Sequence, residues 1–487
     1  MKWLNVLVVL VCISAHPMQS AGQGIIDPMG TRDQPNIVIL IADDWSWPHA
    51  SISPHSDPVV HTPNFDKIAQ NGVLFTNAHV AAPSCSPSRA SILTGRYPHE
   101  LGSGANLYGS FPKDLQVYPD ILAATGYQIG YTGKGWGPGN FQISGWQHNP
   151  AGPQYADITS FLDAVPEDAS FCFWYGSIRP HRPYQEGAGL TAGLDSALVK
   201  VPPYLPDLPQ VKMDILDYYH AVHQFDQQVG EVLKVLEQKG RLENTLLVVT
   251  SDNGWPFPRG KATLYDAGTR VPLAIMWKGK IQKDQVVDDL VNLIDLAPTF
   301  LEAAGAKIPS DLSGASLWPA LKNRHGIKGS DTIFVERERH SITRSGQKGY
   351  PMRAVRTRDF LYIKNFESHR WPAGNPQRMI EEKQYRGADI DRSPTKDVLV
   401  ENQKSYLKQG RSYFLFDQIF SKRSVEELYD LTHDPHQLNN VINNEKYQEK
   451  ALVFRTALEQ WMEASNDPRL LKESSFDDYK YYGRIPK

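Results

Sequence analysis

Two short runs fix most of what this chain can become. NIVILIA (36–42) and TLLVVTS (245–251) are almost unbroken apolar strings, short and rich in β-branched residues. Such a run suits a strand covered on both faces, as in a parallel sheet between two helical layers. Each ends abruptly in oxygen-bearing side chains, Asp43-Asp44 in one case and Asp252-Asn253 in the other. SFCFWYGS is a third buried-strand run, and IRPHRPY with His181 follows it. Helical segments lie between the runs. TPNFDKIAQNG has Thr62 as N-cap, Pro63 at the first helical position and Gly72 as its stop. YPDILAATG reads as a helix, and YQIGYTGKG as a strand that opens into a loop carrying Lys134. From Met213 to Gly240, Ile215, Tyr219, Val222, Phe225, Val229, Val232 and Leu236 recur at helical spacing. The alternation predicts an α/β fold with a doubly wound, mostly parallel sheet, whose ligands gather beyond the carboxyl ends of the strands.

After about residue 350 the texture changes. MRAVRTRDFLYIKNF alternates like an exposed antiparallel hairpin, RSVEELYDLTHDPHQLNNV is polar and turn-rich, and KYQEKALVFRTALEQWMEAS is an amphipathic helix. The expected organisation is a signal peptide over 1–22, a catalytic domain over 23–350 and a smaller C-terminal α+β subdomain over 351–487. The first residues, with Lys2, an apolar run to Ile13 and small residues near Ser20–Gly22, are those of an exported chain. That run is too short for a stable membrane anchor, so a periplasmic or secreted location is expected. A net charge of −3 argues against a nucleic-acid partner. The chain holds three cysteines, and cleavage would leave Cys85 and Cys172. Export leaves a Cys85–Cys172 disulfide open, although Cys172 sits in an apolar run where Cys is usually an inert hydrophobe.

Asp43, Asp44, Asp252 and Asn253 offer hard oxygen ligands without His or Cys, a set that suits Ca²⁺ or Mg²⁺ rather than zinc. Asp and Asn also cap turns, but both pairs stand at the ends of buried strands. The stretch AAPSCSPSRASILTG (81–95) puts Cys85 just ahead of a helix expected from Pro87 through Leu93, with Gly95 as its stop. Free N–H groups at that end, with Arg89 one turn on, predict a lowered thiol pKa. A thiol nucleophile of the tyrosine-phosphatase type is a rival reading. Its spacing would require an Arg at position 91, which is Ser91.

The motif CSPSR followed by LTG resembles the signature of the type I sulfatases, in which the Cys is oxidised to formylglycine. The resemblance extends over NIVILIADD, CSPSRASILTGRYPHELG, GYTGKG, PHRPY, SDNGWPFPRGKATLYDAGTRVPL and ELYDLTHDP. Within the family, SDNGWPFPRGK, VPPYLPD, YPMRAV and ELYDLTHDPH resemble heparan N-sulfatases (sulfamidases), with similarity also to bacterial polysaccharide sulfatases. The resemblance implies an alkaline-phosphatase-like fold and a hydrolase that releases sulfate from a sulfated oligosaccharide by O-sulfate or N-sulfate cleavage. It implies a formylglycine-generating maturase as a partner. It implies one Ca²⁺ held by Asp43, Asp44, Asp252, Asn253 and the oxidised Cys85. A hydrate at position 85 then attacks sulfur with one hydroxyl and expels sulfate with the other. By the same resemblance Arg89 orients the hydrate, Lys134 and Lys261 bind sulfate oxygens, and His181 protonates the leaving atom. One departure stands out. Many relatives carry a His two residues after the Lys equivalent to Lys134, where this chain has Trp136. His79, His99 or a water is then left to collapse the hydrate.

For the sugar, His99 and Asn106 in PHELGSGANLYG, Arg339 and His340 in ERERHSIT, and His369, Arg370 and Trp371 in FESHRWPAGNP are candidate contacts. Basic groups suit a sulfated or carboxylated glycan, and Trp suits a sugar face. The long loops after His181 and before Val201 favour exo action on short oligosaccharides. Two other readings remain: a phosphoester or phosphonate hydrolase of the same fold, and a glycan-binding relative without catalysis, which Trp136 motivates. The modification has a direct test. In protein made with a maturase, the tryptic peptide from Ile68 to Arg89 should be lighter by the exchange of CH2–SH for CHO. An intact thiol in protein from the native host contradicts the formylglycine assignment.

Overall fold

The computed structural model describes residues 34–322, 331–382, 389–471 and 475–483. The signal peptide expected over 1–22 lies outside these residues. Seven strands form the main sheet: β1 (Asn36–Ala42), β2 (Val73–His79), β3 (Gln128–Gly133), β4 (Phe171–Gly176), β5 (Thr245–Ser251), β6 (Arg270–Met276) and β7 (Gln285–Asn292). Their spatial order is β3-β4-β1-β5-β6-β2-β7. β6 runs antiparallel to both neighbours and every other pair is parallel. The apolar runs predict this arrangement because β1 has no solvent face. Ile37, Ile39 and Ile41 enter one core, and Val38, Leu40 and Ala42 the other. On the first face lie α2 (Cys85–Thr94), α3 (Tyr118–Ala124) and α6 (Leu296–Ala303). On the second lie α1 (Pro63–Gln70), α4 (Ile158–Ala164) and the long α5 (Pro209–Gln238). The last starts four residues earlier than its apolar spacing suggests, because Pro209 occupies the first helical turn.

A second sheet of four antiparallel strands has the order β11-β10-β9-β8, from β8 (Thr332–Arg337), β9 (Met352–Thr357), β10 (Phe360–Asn365) and β11 (Glu426–Asp430). The hairpin read as exposed is covered on both sides. Met352, Ala354, Leu361 and Ile363 join one cluster. Val355 and Tyr362 join another with Phe454, Leu458 and Met462 of α8 (Gln448–Ala464). An element α7 (Pro394–Leu407) lies against α5. Cys85 and Cys172 are both buried and free, so the disulfide left open by the sequence does not form. Among the described residues, no helix is long and apolar enough to cross a membrane.

A buried ionic network ties the small sheet to the main body. Arg353 on β9 is paired with Glu336 at 2.8 Å, Glu338 at 2.9 Å and Asp467 at 2.6 Å, all with buried side chains. Glu336 also accepts from the backbone N–H of His99 at 3.0 Å and pairs with its Nδ1 at 2.9 Å. His99, Glu336 and Asp467 could be read as a metal cluster, but the Arg353 guanidinium already supplies their counter-charge. Burial disfavours a charged His99, yet Glu336 outweighs it and His99 titrates above the ordinary imidazole value. A histidine raised in the fold contributes stability that is complete below the unfolded value near about 6.5 and lost as pH rises through the folded value. The melting-temperature advantage of the wild type over His99→Gln should therefore shrink as pH rises above about 6.5. A pH-independent gap contradicts the pairing. Glu336→Gln should cost about 3–5 kcal/mol in chemical denaturation, since it leaves buried charge unpaired.

Candidate active site

The site is assembled by strand register. Ala42 at the end of β1 pairs with Ser251 at the end of β5, so Asp43-Asp44 and Asp252-Asn253 emerge side by side. The backbone N–H of Asp252 donates to Ala42 (3.1 Å), and that of Asp44 to the Asp252 carboxylate (3.2 Å). Asp44 itself sits at φ 79°, in the left-handed region. A non-glycine residue there is held by its surroundings at a cost in backbone energy. On the other side of β1, Ile41 pairs with Gly176 of β4, and Gly176 with Gly133 of β3. Lys134 thus leaves the sheet at the same end. A Cβ on Gly176 would stand 1.7 Å from the Lys134 carbonyl oxygen and 3.0 Å from Arg89 Nη1, so only glycine fits.

Helix α2 begins at Cys85 itself, and Gly95 caps it in the left-handed conformation. The early start sets Cys85 in the first turn, with Sγ 3.4 Å from Asp43 Oδ1. One ligand atom from each of Asp43, Asp44, Cys85 and Asp252 lies within 4.8 Å of the others, and all four residues are buried. Asn253 Oδ1 is buried with no hydrogen-bond partner, while its Nδ2 donates to Asp44 at 2.6 Å. Three carboxylates and an unsatisfied amide oxygen so close together are the donor set of a hard divalent cation, and the residues present fit one.

Three cations from the chain face them. Arg89 donates from Nε to Asp252 (2.7 Å), and from Nη1 to the carbonyls of Lys134 (2.5 Å) and Gly135 (3.2 Å). Lys134 Nζ stands 2.6 Å from Asp43 and Lys261 Nζ 2.9 Å from Asp44. Burial works against a charged Asp43, but Lys134, His181, Arg89 and Lys261 outweigh it and hold its carboxyl well below the usual range. Asp252 is pushed the other way, by burial and by the charge of Asp43. The thiol differs from the sequence expectation. Burial pushes the Cys85 pKa well above its ordinary value despite Lys134 and Lys261, so a free thiolate nucleophile is disfavoured here.

His181 completes the mouth. Its Nδ1 donates to the Arg182 carbonyl, and its Nε2 is 3.8 Å from Asp44 Oδ2. The sequence reading missed Asp391, whose Oδ2 is 3.6 Å from Lys261 Nζ and which groups with Asp44 and His181. Asp389 anchors this turn by accepting from Arg337, Arg344 and Ser341. Its only sequence signal was an acidic pair, DID, in a polar stretch.

The proposed sugar contacts divide. His340 is buried beside the nucleophile helix, its Nδ1 2.8 Å from the hydroxyl of Ser84, and burial lowers its pKa to about 3. His99 is committed to Glu336. Asn106 bridges the Phe476 carbonyl (2.7 Å) and the Arg339 N–H (2.9 Å). Arg339 is buried on the Tyr479 carbonyl (2.7 Å). Arg370 is tied to Gly349 and Asp477, exposed His369 pairs with Glu367, and Lys422 stands over the half-buried Trp371 ring. None of the six predicted contacts His99, Asn106, Arg339, His369, Arg370 and Trp371 shares a hydrogen bond or ion pair with the carboxylate cluster. His79 is buried against Thr269 (3.1 Å). Neither His79 nor His99 therefore joins the Cys85 cluster.

Trp136 fills the place of the missing histidine as a wedge. It is buried, donates from Nε1 to the Ser86 carbonyl (3.1 Å) and meets Phe111 edge-on at 5.3 Å. Trp136→Ala should cost about 3–5 kcal/mol in urea denaturation, and Trp136→Phe about 1 kcal/mol. An alanine variant as stable as the wild type contradicts the wedge.

The chain is similar to known proteins. The sulfatase family profile matches residues 35–306, and the profile of the N-sulphoglucosamine sulphohydrolase C-terminal region matches residues 254–372. An ulvan-active sulfatase of Formosa agariphila is 26% identical, across 97% of this chain and 82% of its own length. Human N-sulphoglucosamine sulphohydrolase is 29% identical, across 89% of this chain and 91% of its own. A solved structure in complex with its substrate D-glucosamine-2-N,6-O-disulfate superposes with a TM-score of 0.63 at 22% identity, covering 89% of this chain and 98% of that one.

Proposed function

We propose, from the premise that the chain belongs to the sulfatase family and is a sulfuric ester or sulfamate hydrolase, that it removes sulfate from a sulfated saccharide using formylglycine at position 85 and one Ca²⁺. The observation that carries this is the meeting of Cys85 with Asp43, Asp44 and Asp252 inside 4.8 Å at one end of the sheet. Asp43, Asp44, Asp252 and Asn253 would hold the ion, which when bound supplies a Lewis acid for a sulfate oxygen. Formylglycine supplies, as its hydrate, an oxygen nucleophile that a thiol cannot provide.

The chain's own residues then have separate tasks. Arg89 is bonded on both Nε and Nη1, so it fixes Asp252 and the 134–135 loop around the nucleophile. Lys134 and Lys261 are the cations free to turn from Asp43 and Asp44 to the sulfate once those carboxylates hold an ion, giving electrostatic stabilisation where charge develops. A carbonyl only accepts, so His181 carries a proton on Nδ1 toward Arg182. That leaves Nε2, on the side of Asp44, as the nitrogen that, in the doubly protonated ring, delivers its proton to the leaving oxygen or nitrogen and leaves the Nδ1–H tautomer behind. The hydrogen bond of His340 to Ser84, the residue before the nucleophile, supports His340 as the group that does the work of the usual histidine where Trp136 stands.

The match of residues 254–372 to the sulphohydrolase C-terminal region favours an N-sulfated glucosamine at the end of a short chain as substrate. Ulvan-type O-sulfated sugars are the second reading, supported by the similarity to the Formosa sulfatase. Maturation of Cys85 requires a formylglycine-generating partner, and export places the enzyme in the periplasm or outside the cell.

Desulfation of N-sulfated, 6-O-sulfated and ulvan oligosaccharides, read by mass loss of one sulfate, should show turnover on the terminal N-sulfated sugar. Activity on ulvan fragments alone overturns the sulfamidase preference, and activity on phosphonate esters alone overturns the sulfatase reading. Cys85→Ser, with the serine verified as unmodified, should lower turnover roughly a thousandfold or more while substrate still binds. Undiminished turnover refutes the nucleophile.

A further inference from the structure

Behind the loop that carries Asn253 and Lys261 lies a second cavity of about 670 Å³. Residues from both sheets line it, and none of the nucleophile or carboxylate cluster does. Its volume falls within the range of small-molecule sites. Its charges do not balance. Among the lining cations, Lys200 faces Asp57, Arg356 is paired bidentately with Asp266 at 2.8 and 2.9 Å, and Arg358 is paired with Asp288. Arg259 and Arg270 remain. Among the described residues neither has a carboxylate within ion-pair distance. Arg259 is 2% exposed. Its terminal nitrogens go to the carbonyls of Gln418 and Gln437, its Nε is buried without a partner, and its face lies 4.0 Å from the Tyr265 ring centroid. Arg270 donates from Nε and Nη2 to the Thr76 carbonyl alone. Burial lowers its pKa, because the nearby Asp266 is already shared with Arg356. A guanidinium withdrawn from water without a counter-charge is costly, and the buried Arg259 together with the half-buried Arg270 on one cavity calls for an anion from outside. Tyr204 and Pro202 and Pro203 add flat apolar wall at the same opening, which suits a sugar ring better than a free ion.

We propose that this cavity is a second saccharide site, holding a sulfate or carboxylate group of a glycan between Arg259 and Arg270, apart from the nucleophile. The choice of a glycan rests on the sulfated-saccharide reading, whereas the anion requirement does not. Such a site would retain a polymer while its end is processed, so it acts on long substrates and leaves monosaccharide turnover untouched.

Calorimetry of the full-length Cys85→Ser protein with a heparin-derived hexasaccharide tests it, because binding is read without turnover. Two sites per chain are expected. Arg270→Gln, and separately the exposed Lys200→Glu, should weaken one of them at least tenfold. In the otherwise native enzyme the same changes should leave kcat/KM on a sulfated monosaccharide unchanged. Lys200→Glu covers the case in which Arg270→Gln fails to fold. A single site, or two sites indifferent to both substitutions, overturns the proposal. Inorganic sulfate that displaces nothing but itself, with no saccharide bound at the cavity, overturns the saccharide assignment. If the cavity binds the hexasaccharide but no sulfated sugar is hydrolysed, the catalytic reading fails and this one stands.

Discussion

Three carboxylates buried at the ends of two adjacent parallel strands are the interaction on which the rest depends. Asp43, Asp44 and Asp252 would repel one another inside the protein, and burial alone makes each charge costly. The fold answers with Arg89, Lys134 and Lys261, each from a different element and each within 2.9 Å of one of them. That balance leaves the cluster close to neutral. A divalent ion entering it gives the pocket a positive excess, which an anionic ester or sulfamate then matches. Under the proposed function, only Lys134 and Lys261 among these cations turn to the substrate, while Arg89 stays bonded to Asp252 and the Lys134 carbonyl.

The architecture is organised to keep that cluster rigid. β1 is an interior strand, third in the order of seven, with helices on both faces, so its end cannot shift without disturbing two cores. Arg89 adds a cross-brace from α2 to β5 and to the loop after β3. The small sheet is not a passive appendage. Its Arg353 network reaches His99 on the main body, and Asp389 holds the turn that delivers Asp391 beside Lys261 and His181. One wall of the mouth thus comes from the C-terminal part of the chain.

The strand ends were legible in the sequence because period and chemistry agreed there: an apolar run buried on both faces stops at paired oxygen ligands. The nucleophile helix was legible for the same kind of reason, through Gly95 at its end. What failed was any inference that needed to know which polar residues are buried. His99, Asn106 and Arg339 look like sugar contacts in a polar loop, yet each is enclosed and bonded to its own chain. The Cys85 pKa went the wrong way because helix-end electrostatics is readable from spacing and desolvation is not. Asp391 could not be found because its importance lies in a contact 130 residues from Lys261 along the chain, which no local pattern encodes. Trp136 was noticed as a departure, but only packing revealed it as a wedge under α2.

The central claim is that this carboxylate cluster is built for one hard divalent ion. Calorimetric titration of Ca²⁺ into metal-free protein tests it without relying on turnover or on the substrate. The account predicts one Ca²⁺ per chain in the wild type and loss of that binding in Asp252→Asn, whose amide removes one of the anionic ligands. Protein that takes up no Ca²⁺, or that binds it unchanged in Asp252→Asn, would contradict the account.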